Sequence, residues 1–200
     1  RTGQPFVPWT VHAQQQAGVS PVILHPERLD APLHWKKPRR IFVNSMSDLF
    51  HEAVPDSFIL RVFGTMERAP QHIYQILTKR PKEMKAFMDK YAWQYRWPLP
   101  NVWLGVSVEN QAAADERLPL LAQVLAAVRF VSYEPALGPV DFSSFFHICS
   151  EPPGSTPCLC NGLALHQVIV GGESGPKARP FDLAWARGVR DQCRKAGVAF

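Results

Sequence analysis

Five short apolar runs along the chain each end in a group of polar residues, and a helix-like segment follows every run except the fourth. The runs begin at residues 41, 73, 102, 128 and 168, so the steps between them are 32, 29, 26 and 40 residues. One β-strand with its connecting helix takes roughly 30 residues. The spacing therefore predicts an α/β fold of repeated βα units, in which functional residues lie at the carboxyl ends of parallel strands.

Apolar residues at helical spacing predict four helices among these runs. The predicted helices span residues 54–66, 81–88, 111–125 and 181–195. Asp56 or Ser57 can cap the first helix through a side-chain oxygen. Pro119 predicts a break in the third helix, because proline lacks the amide hydrogen that a helix interior uses.

The ends of the chain and its longest loop shape the predicted domain. Residues 1–40 are rich in proline, glutamine and turn formers, and we interpret them as an extension that leads into barrel units over 41–200. Prolines and glycines predict an irregular insertion near 142–166. The chain starts at Arg1 rather than Met, and 197–200 resembles the opening of another strand. We therefore expect a partial, TIM-like (βα) barrel that is truncated at both ends.

Composition narrows the class of protein. With 200 residues, 46% hydrophobic and 20% charged, the chain fits one soluble globular domain. It has no apolar run of the roughly 18 residues that span a membrane and no signal peptide, so we expect no membrane partner and a cytoplasmic location. The net charge of +5 favours nucleic acid or another anionic partner, or it solvates outer helices. Oligomeric state has no signal in the sequence.

The first apolar run is followed by Asn44, Ser45 and Asp48. A carboxylate here could bind a metal, accept a ribose hydroxyl or act as a base. It could equally cap the following turn.

Two cations, Lys79 and Arg80, follow the second run at the start of a predicted helix. Positive charge there opposes the helix dipole. The arrangement predicts an anionic ligand nearby, or a partner carboxylate such as Glu109 or Glu134.

The third and fourth runs end alike, in Ser107-Val108-Glu109 and Ser132-Tyr133-Glu134. Residues two apart in a strand share a face, so each serine should point the same way as its glutamate. Paired carboxylates in a barrel mouth can act as acid and base, or they can form ion pairs with neighbouring cations.

The last run ends in Gly171, Gly172 and Glu173. Two glycines permit close approach of a ligand to the backbone, and exposed amide groups there could receive a carboxylate or phosphate. The glycine spacing differs from the dinucleotide-binding fingerprint.

Soft ligands are concentrated in the insertion, where His147, Cys149, Cys158 and Cys160 could hold zinc. A surface disulfide or free thiols are the alternatives, and a cytoplasmic compartment disfavours the disulfide. Cys193 has apolar neighbours at helical spacing and is predicted to be buried in the core.

Taken together, the strand-end motifs resemble a phage- and prophage-associated family of uncharacterised radical-SAM-like proteins, whose fold is similar to that of spore photoproduct lyase. The resemblance covers about residues 22–200. Its motifs are 41–51, 77–81, 103–110, 131–135 and 170–175.

The resemblance implies a partial barrel that binds S-adenosylmethionine and a [4Fe–4S] cluster. The family's cluster cysteines precede the region that begins here, and the cysteines of this chain all come late. Lys79, Glu109 and Glu134 are the implied catalytic residues. The implied cofactor-binding residues are Asn44, Ser45, Asp48, Arg80, Ser107, Ser132, Gly171, Gly172 and Glu173.

Three functions follow as hypotheses. The first is a radical S-adenosylmethionine enzyme of unknown substrate that acts on nucleic acid. The second is a non-catalytic barrel of phage origin that binds nucleic acid or protein. The third is an iron-independent hydrolase or lyase that uses Glu109 and Glu134.

Overall fold

The computed structural model describes residues 22–44, 47–146 and 165–200. Five strands form a single sheet: β1 (Arg40–Val43), β2 (Ile73–Thr78), β3 (Val102–Ser107), β4 (Val128–Tyr133) and β5 (Gln167–Val170). Their spatial order follows the sequence, and every pairing is parallel. The sheet curls into a half-barrel, which confirms the predicted α/β architecture of consecutive βα units.

Four helices accompany the strands: α1 (Asp56–Arg68), α2 (Pro81–Tyr91), α3 (Gln111–Ala122) and α4 (Leu183–Ala196). Short 3-10 turns lie at Pro26–Arg28, Ala31–His34, Ala92–Gln94 and Ser143–Phe145. Among the described residues, none of the helices has both the length and the apolar character needed to cross a membrane.

The starts and interiors of two helices differ from the prediction. Pro55 is the N-cap of α1 and provides no side-chain hydrogen bond. Asp56 lies inside the helix instead and accepts hydrogen bonds from Tyr91 at 2.8 Å and Lys90 at 3.1 Å. Pro119 lies within α3 rather than at a break. This helix ends at Ala122, before the predicted 125, because Val124 and Ala126 turn into the core on the way to β4.

The helices cover one face of the sheet, which we call the outer face. Its strand residues are buried together with apolar residues of all four helices. Successive residues of a strand point to opposite sides, and the registers align the outer-face positions. They include Ile76, Leu104, Val106, Val131 and Val168.

The opposite, concave side of the half-barrel is called the inner face here. Two register rows define it, Phe42–Gln75–Trp103–Val128 and Leu77–Gly105–Phe130–Gln167. Phe42 and Trp103 lie outside the core cluster. Phe130 crosses Gly105, since a Cβ atom on that glycine would stand 2.6 Å from the ring. Gly105 thus makes room for a ring on the neighbouring strand.

The first residues of the predicted insertion pack against the rest of the domain. Phe142 and Phe146 are buried in the core, and the Phe142 amide donates to Gln192 Oε1 at 2.7 Å. Residues 142–146 therefore belong to the packed domain, because aromatic burial fixes them. Of the rest of the predicted loop, 147–164 lies outside the described residues, and Leu165 is buried in the core. Near the other end of the chain, Ala199 forms an isolated parallel bridge with Gln167, where the opening of another strand was predicted.

Candidate functional site

The carboxyl ends of the five strands meet along one edge of the sheet, which we call the mouth. Ser107 and Ser132, the inward-facing residues at the ends of β3 and β4, are register partners. The next inward-facing positions along these strands are Glu109 and Glu134. The fold therefore places most of the predicted site residues on a common rim, as parallel strands require.

Asp48 connects the ends of the first two strands. Its carboxylate accepts from the Thr78 hydroxyl at 2.7 and 2.9 Å and from the Lys79 amide at 3.0 Å. It also caps its own turn through the Phe50 amide at 3.0 Å and pairs with Arg80 at 3.3 Å. Asp48 thus has the turn-capping role that was the alternative prediction. Hydrogen-bond donors of the same chain already bind its carboxylate. Its assignment to a cofactor stays a prediction.

Glu109 is held between two cations. Lys79 Nζ lies 2.5 Å from one carboxylate oxygen, and Arg117 Nη1 lies 2.9 Å from the other. Burial alone would raise the pKa of Glu109, but the hydrogen bonds and charges of Lys79 and Arg117 outweigh burial and lower it. Glu109 is therefore an ionised structural partner of the cations. The carboxylate partner predicted for the cations at the start of α2 is found for both of them.

Arg117 was missed by the sequence reasoning. Its guanidinium also donates to the Ser107 carbonyl at 2.8 Å, which ties α3 to the end of β3. The sequence did contain a signal for Arg117. The residue lies three positions after Ala114 and four before Leu121, so it shares a helix face with these two buried residues. A charged residue on the buried stripe of a helix predicts an internal partner.

Glu173 closes the loop after β5 rather than facing the strands. Arg179 donates to both carboxylate oxygens at 2.8 Å, and the Arg179 amide donates at the same distance. These bonds lower the pKa of Glu173 to about 2. Arg179 was also missed, and its spacing from Glu173 on an irregular loop gave no sequence signal.

Glu134 is different from its neighbours on the rim. Its side chain is exposed, and in the part of the chain that the structure describes it makes no hydrogen bond or ion pair. It lies against Gly171, where an added Cβ would stand 2.9 Å from the carboxyl carbon. A close approach to the Gly171 backbone is therefore present, as predicted for the glycines. The approaching group is the Glu134 side chain of the same protein rather than a ligand. Gly172 packs in the same way against Phe181, because a Cβ added to this glycine would stand 3.0 Å from the Phe181 Cβ atom.

The hydroxyls of Ser107 and Ser132 also lack partners. Both residues are buried, and neither side chain forms a hydrogen bond. Asn44 lies at the exposed end of β1 with a φ of 64°, a left-handed conformation that asparagine tolerates. Ser45 lies outside the described residues.

The described residues contain no group of three or more metal-ligating side chains. The zinc set, His147, Cys149, Cys158 and Cys160, lies outside these residues and stays a prediction. Cys193 is fully buried, as predicted, and burial raises its pKa to about 11.

A family model described as "Protein of unknown function (DUF5131)" matches residues 6–200, nearly the whole chain. The chain belongs to the DUF5131 family. Searches of curated proteins and of solved structures find no match for this DUF5131 chain. The family description names neither a radical mechanism nor phage, so both stay predictions.

Proposed function

We propose that this DUF5131 protein is an S-adenosylmethionine-dependent enzyme whose mouth binds the cofactor beside Glu134. The observation that carries the proposal is the unpaired carboxylate of Glu134 on a rim where Asp48, Glu109 and Glu173 are all ion-paired. A lone carboxylate next to free hydroxyls suits a ligand with a cationic group and several hydroxyls. S-adenosylmethionine has an ammonium group, a sulfonium and a ribose.

The other members of the mouth have supporting roles in this proposal. Lys79 and Arg117 keep Glu109 ionised and fix the end of β3, on which Ser107 stands. Glu134 would hold the ammonium group, and the Ser107 and Ser132 hydroxyls would meet the ribose. When bound, S-adenosylmethionine supplies a sulfonium whose carbon–sulfur bond is cleaved in the reaction.

The residues at the mouth do not fit the [4Fe–4S] cluster that the resemblance implies. Three thiolates must hold such a cluster. Among the described residues Cys193 alone is a cysteine, and it is buried in α4 with a raised pKa. We therefore derive no step through a cluster from this part of the chain.

The third hypothesis, an iron-independent hydrolase or lyase that uses Glu109 and Glu134, finds less support, because Lys79 and Arg117 already pair with both carboxylate oxygens of Glu109. A general acid must hold its proton near the working pH. The lowered pKa of Glu109 leaves it deprotonated.

Isothermal titration calorimetry with S-adenosylmethionine tests the proposal. We expect Glu134→Gln to weaken binding by a factor of about ten or more, since a hydrogen bond to a charged group contributes about 1.5–3 kcal/mol. Ser132→Ala should have a smaller effect. Glu116→Gln makes the same charge change on the exposed side of α3 and should bind like the unchanged protein.

Two results would contradict the proposal: no heat of binding with S-adenosylmethionine, or equal affinity for Glu134→Gln and the unchanged protein. Anaerobic iron–sulfur reconstitution of the full-length protein, followed by electron paramagnetic resonance, then decides whether the enzyme is of the radical type. An active, cofactor-binding protein with a silent spectrum would rule out the radical hypothesis.

A further inference from the structure

Among the described residues, the accessible part of the inner face is the row that contains Phe42 and Trp103, whereas Gly105 and Phe130 on the same face are buried. Phe42 is 42% exposed on β1. Trp103 is its neighbour across β2 in the same register row, and the ring is partly exposed. Neither belongs to the core cluster. An exposed aromatic pair on a concave surface marks a binding site more often than a packing defect.

Three polar side chains on this face lack hydrogen-bond partners although their residues are more than nine-tenths buried. Gln75 is 7% exposed, Ser107 is 5% and Ser132 is 6%. Among the described residues, the side-chain atom that is both sealed from solvent and unsatisfied is Tyr74 Oη, on the outer face. The polar atoms of the three residues are therefore not fully sealed from solvent. A ligand on this face could supply the hydrogen bonds that they lack.

Positive charge borders the same face at the amino ends of the strands. Arg40 begins β1, and its guanidinium lies 5.2 Å from the centre of the Trp103 ring. Lys36, Lys37 and Arg39 precede it and are exposed. Arg39 lies over the Trp35 ring at 4.5 Å, and no acidic side chain of the described residues pairs with the three cations. Basic side chains next to an exposed aromatic ring form the combination that binds single-stranded nucleic acid.

We propose that the inner face receives a base of a single-stranded polynucleotide. The base stacks on Trp103 or on the Arg40 guanidinium. The Gln75 amide, which has both a donor and an acceptor, meets the hydrogen-bonding edge of the base. Phosphates lie on the basic side chains of the segment 36–40, which are Lys36, Lys37, Arg39 and Arg40. Charge complementarity and the unpartnered amide favour this occupant over an apolar protein segment, which would leave Gln75 unsatisfied.

The inference names the substrate class of the proposed enzyme and in that sense rests on the proposed function. The binding itself needs no cofactor, so it is measured in the absence of S-adenosylmethionine. The two proposals can then fail separately. Loss of cofactor binding with intact polynucleotide binding would overturn only the proposed function, and the reverse result would overturn only the inference.

The test is fluorescence anisotropy of a short, labelled oligodeoxythymidylate with the whole chain. We expect binding that weakens as salt rises, because phosphate contacts release counterions. Trp103→Leu should reduce affinity at least about fivefold through loss of stacking. Gln75→Leu should reduce it by a similar factor, and Arg40→Gln should reduce both the affinity and the salt dependence.

Matched variants control for nonspecific effects. Trp93→Leu removes an exposed indole at the end of α2, and Arg187→Gln removes an exposed charge on α4. Both should bind like the unchanged protein. Gln75→Leu also protects the test from misfolding, since it removes an unpartnered amide and keeps the volume of the side chain.

Four results would overturn the inference. One is no binding at low salt, and another is equal loss of affinity in the control variants. The third is competition by free thymidine as effective as that by the oligonucleotide, which would assign the face to a nucleoside and leave the basic residues without a role. Full affinity for the oligonucleotide in both Trp103→Leu and Gln75→Leu would place any binding elsewhere on the surface.

Discussion

The two faces of the same five strands have opposite characters. On the outer face, Leu104 and Val106 are fully buried under helices. One residue away in the sequence, Trp103 is partly exposed, and Gly105 lies directly under the Phe130 ring of the next strand. The outer face provides stability, whereas the inner face keeps unpartnered polar groups and exposed aromatic surface. That difference indicates which face the fold leaves available for a ligand.

The largest expected effect comes from cutting a side chain on the outer face. Leu104→Ala should lower the free energy of unfolding by about 2–5 kcal/mol, because it leaves a cavity in a packed core. Urea denaturation followed by circular dichroism measures the change.

Gln75→Leu is the inner-face counterpart on the neighbouring strand. It should change the free energy of unfolding by less than about 1.5 kcal/mol, because the volume is conserved and no hydrogen bond is lost. Equal losses for the two variants would mean that the inner face is as tightly packed as the outer one.

A middle-sized effect is expected where the inner face is crowded. An alanine at Gly105 would bring its Cβ to 2.6 Å from the Phe130 ring. Gly105→Ala should therefore lower the free energy of unfolding by about 1–3 kcal/mol through overpacking. Thermal denaturation measures this loss of stability. Adding Phe130→Leu to Gly105→Ala should restore part of the lost stability.

Gly188→Ala is the control for this glycine. It lies in α4 with no atom within 4 Å of an added Cβ. Alanine should stabilise the helix by about 0.5–1 kcal/mol. A destabilised Gly188→Ala variant, or an unaffected Gly105→Ala variant, would contradict the packing described for the row that contains Phe130.

The smallest effect belongs to the rim, where charges are paired in contact with solvent. The pKa of Glu173 is lowered to about 2 from an ordinary 4.5. Its pairing with Arg179 therefore stabilises the fold above about pH 4.5, and the contribution is lost as pH falls toward about 2. A carboxyl titration followed by nuclear magnetic resonance should show the low pKa.

Arg179→Gln should return the Glu173 titration toward its ordinary range and remove this part of the acid dependence. Arg190→Gln is the matched control, since that arginine pairs with Asp191 on the exposed side of α4. A Glu173 pKa that stays low in Arg179→Gln would show that another group holds the carboxylate.

Much of the fold was predictable because hydrophobic periodicity reports burial directly. The five runs became the five strands, and the start of α2 at Pro81 matches the prediction. The errors concern Pro119, which α3 tolerates, and Asp56, which bonds to Tyr91 rather than capping. Both depend on contacts that form only after packing. For the site, the prediction placed acids and cations on one edge but could not assign partners.

By itself, the sequence determined the strands, their parallel order and the edge at which the polar residues gather, because these follow from local spacing and the geometry of βα units. Only the tertiary structure decided which charges are neutralised. Lys79 meets Glu109 and Arg80 meets Asp48 across different strands, while Glu134 is left unpaired. Ion pairing depends on distances of a few ångströms between residues far apart in the chain, and no local pattern encodes those distances.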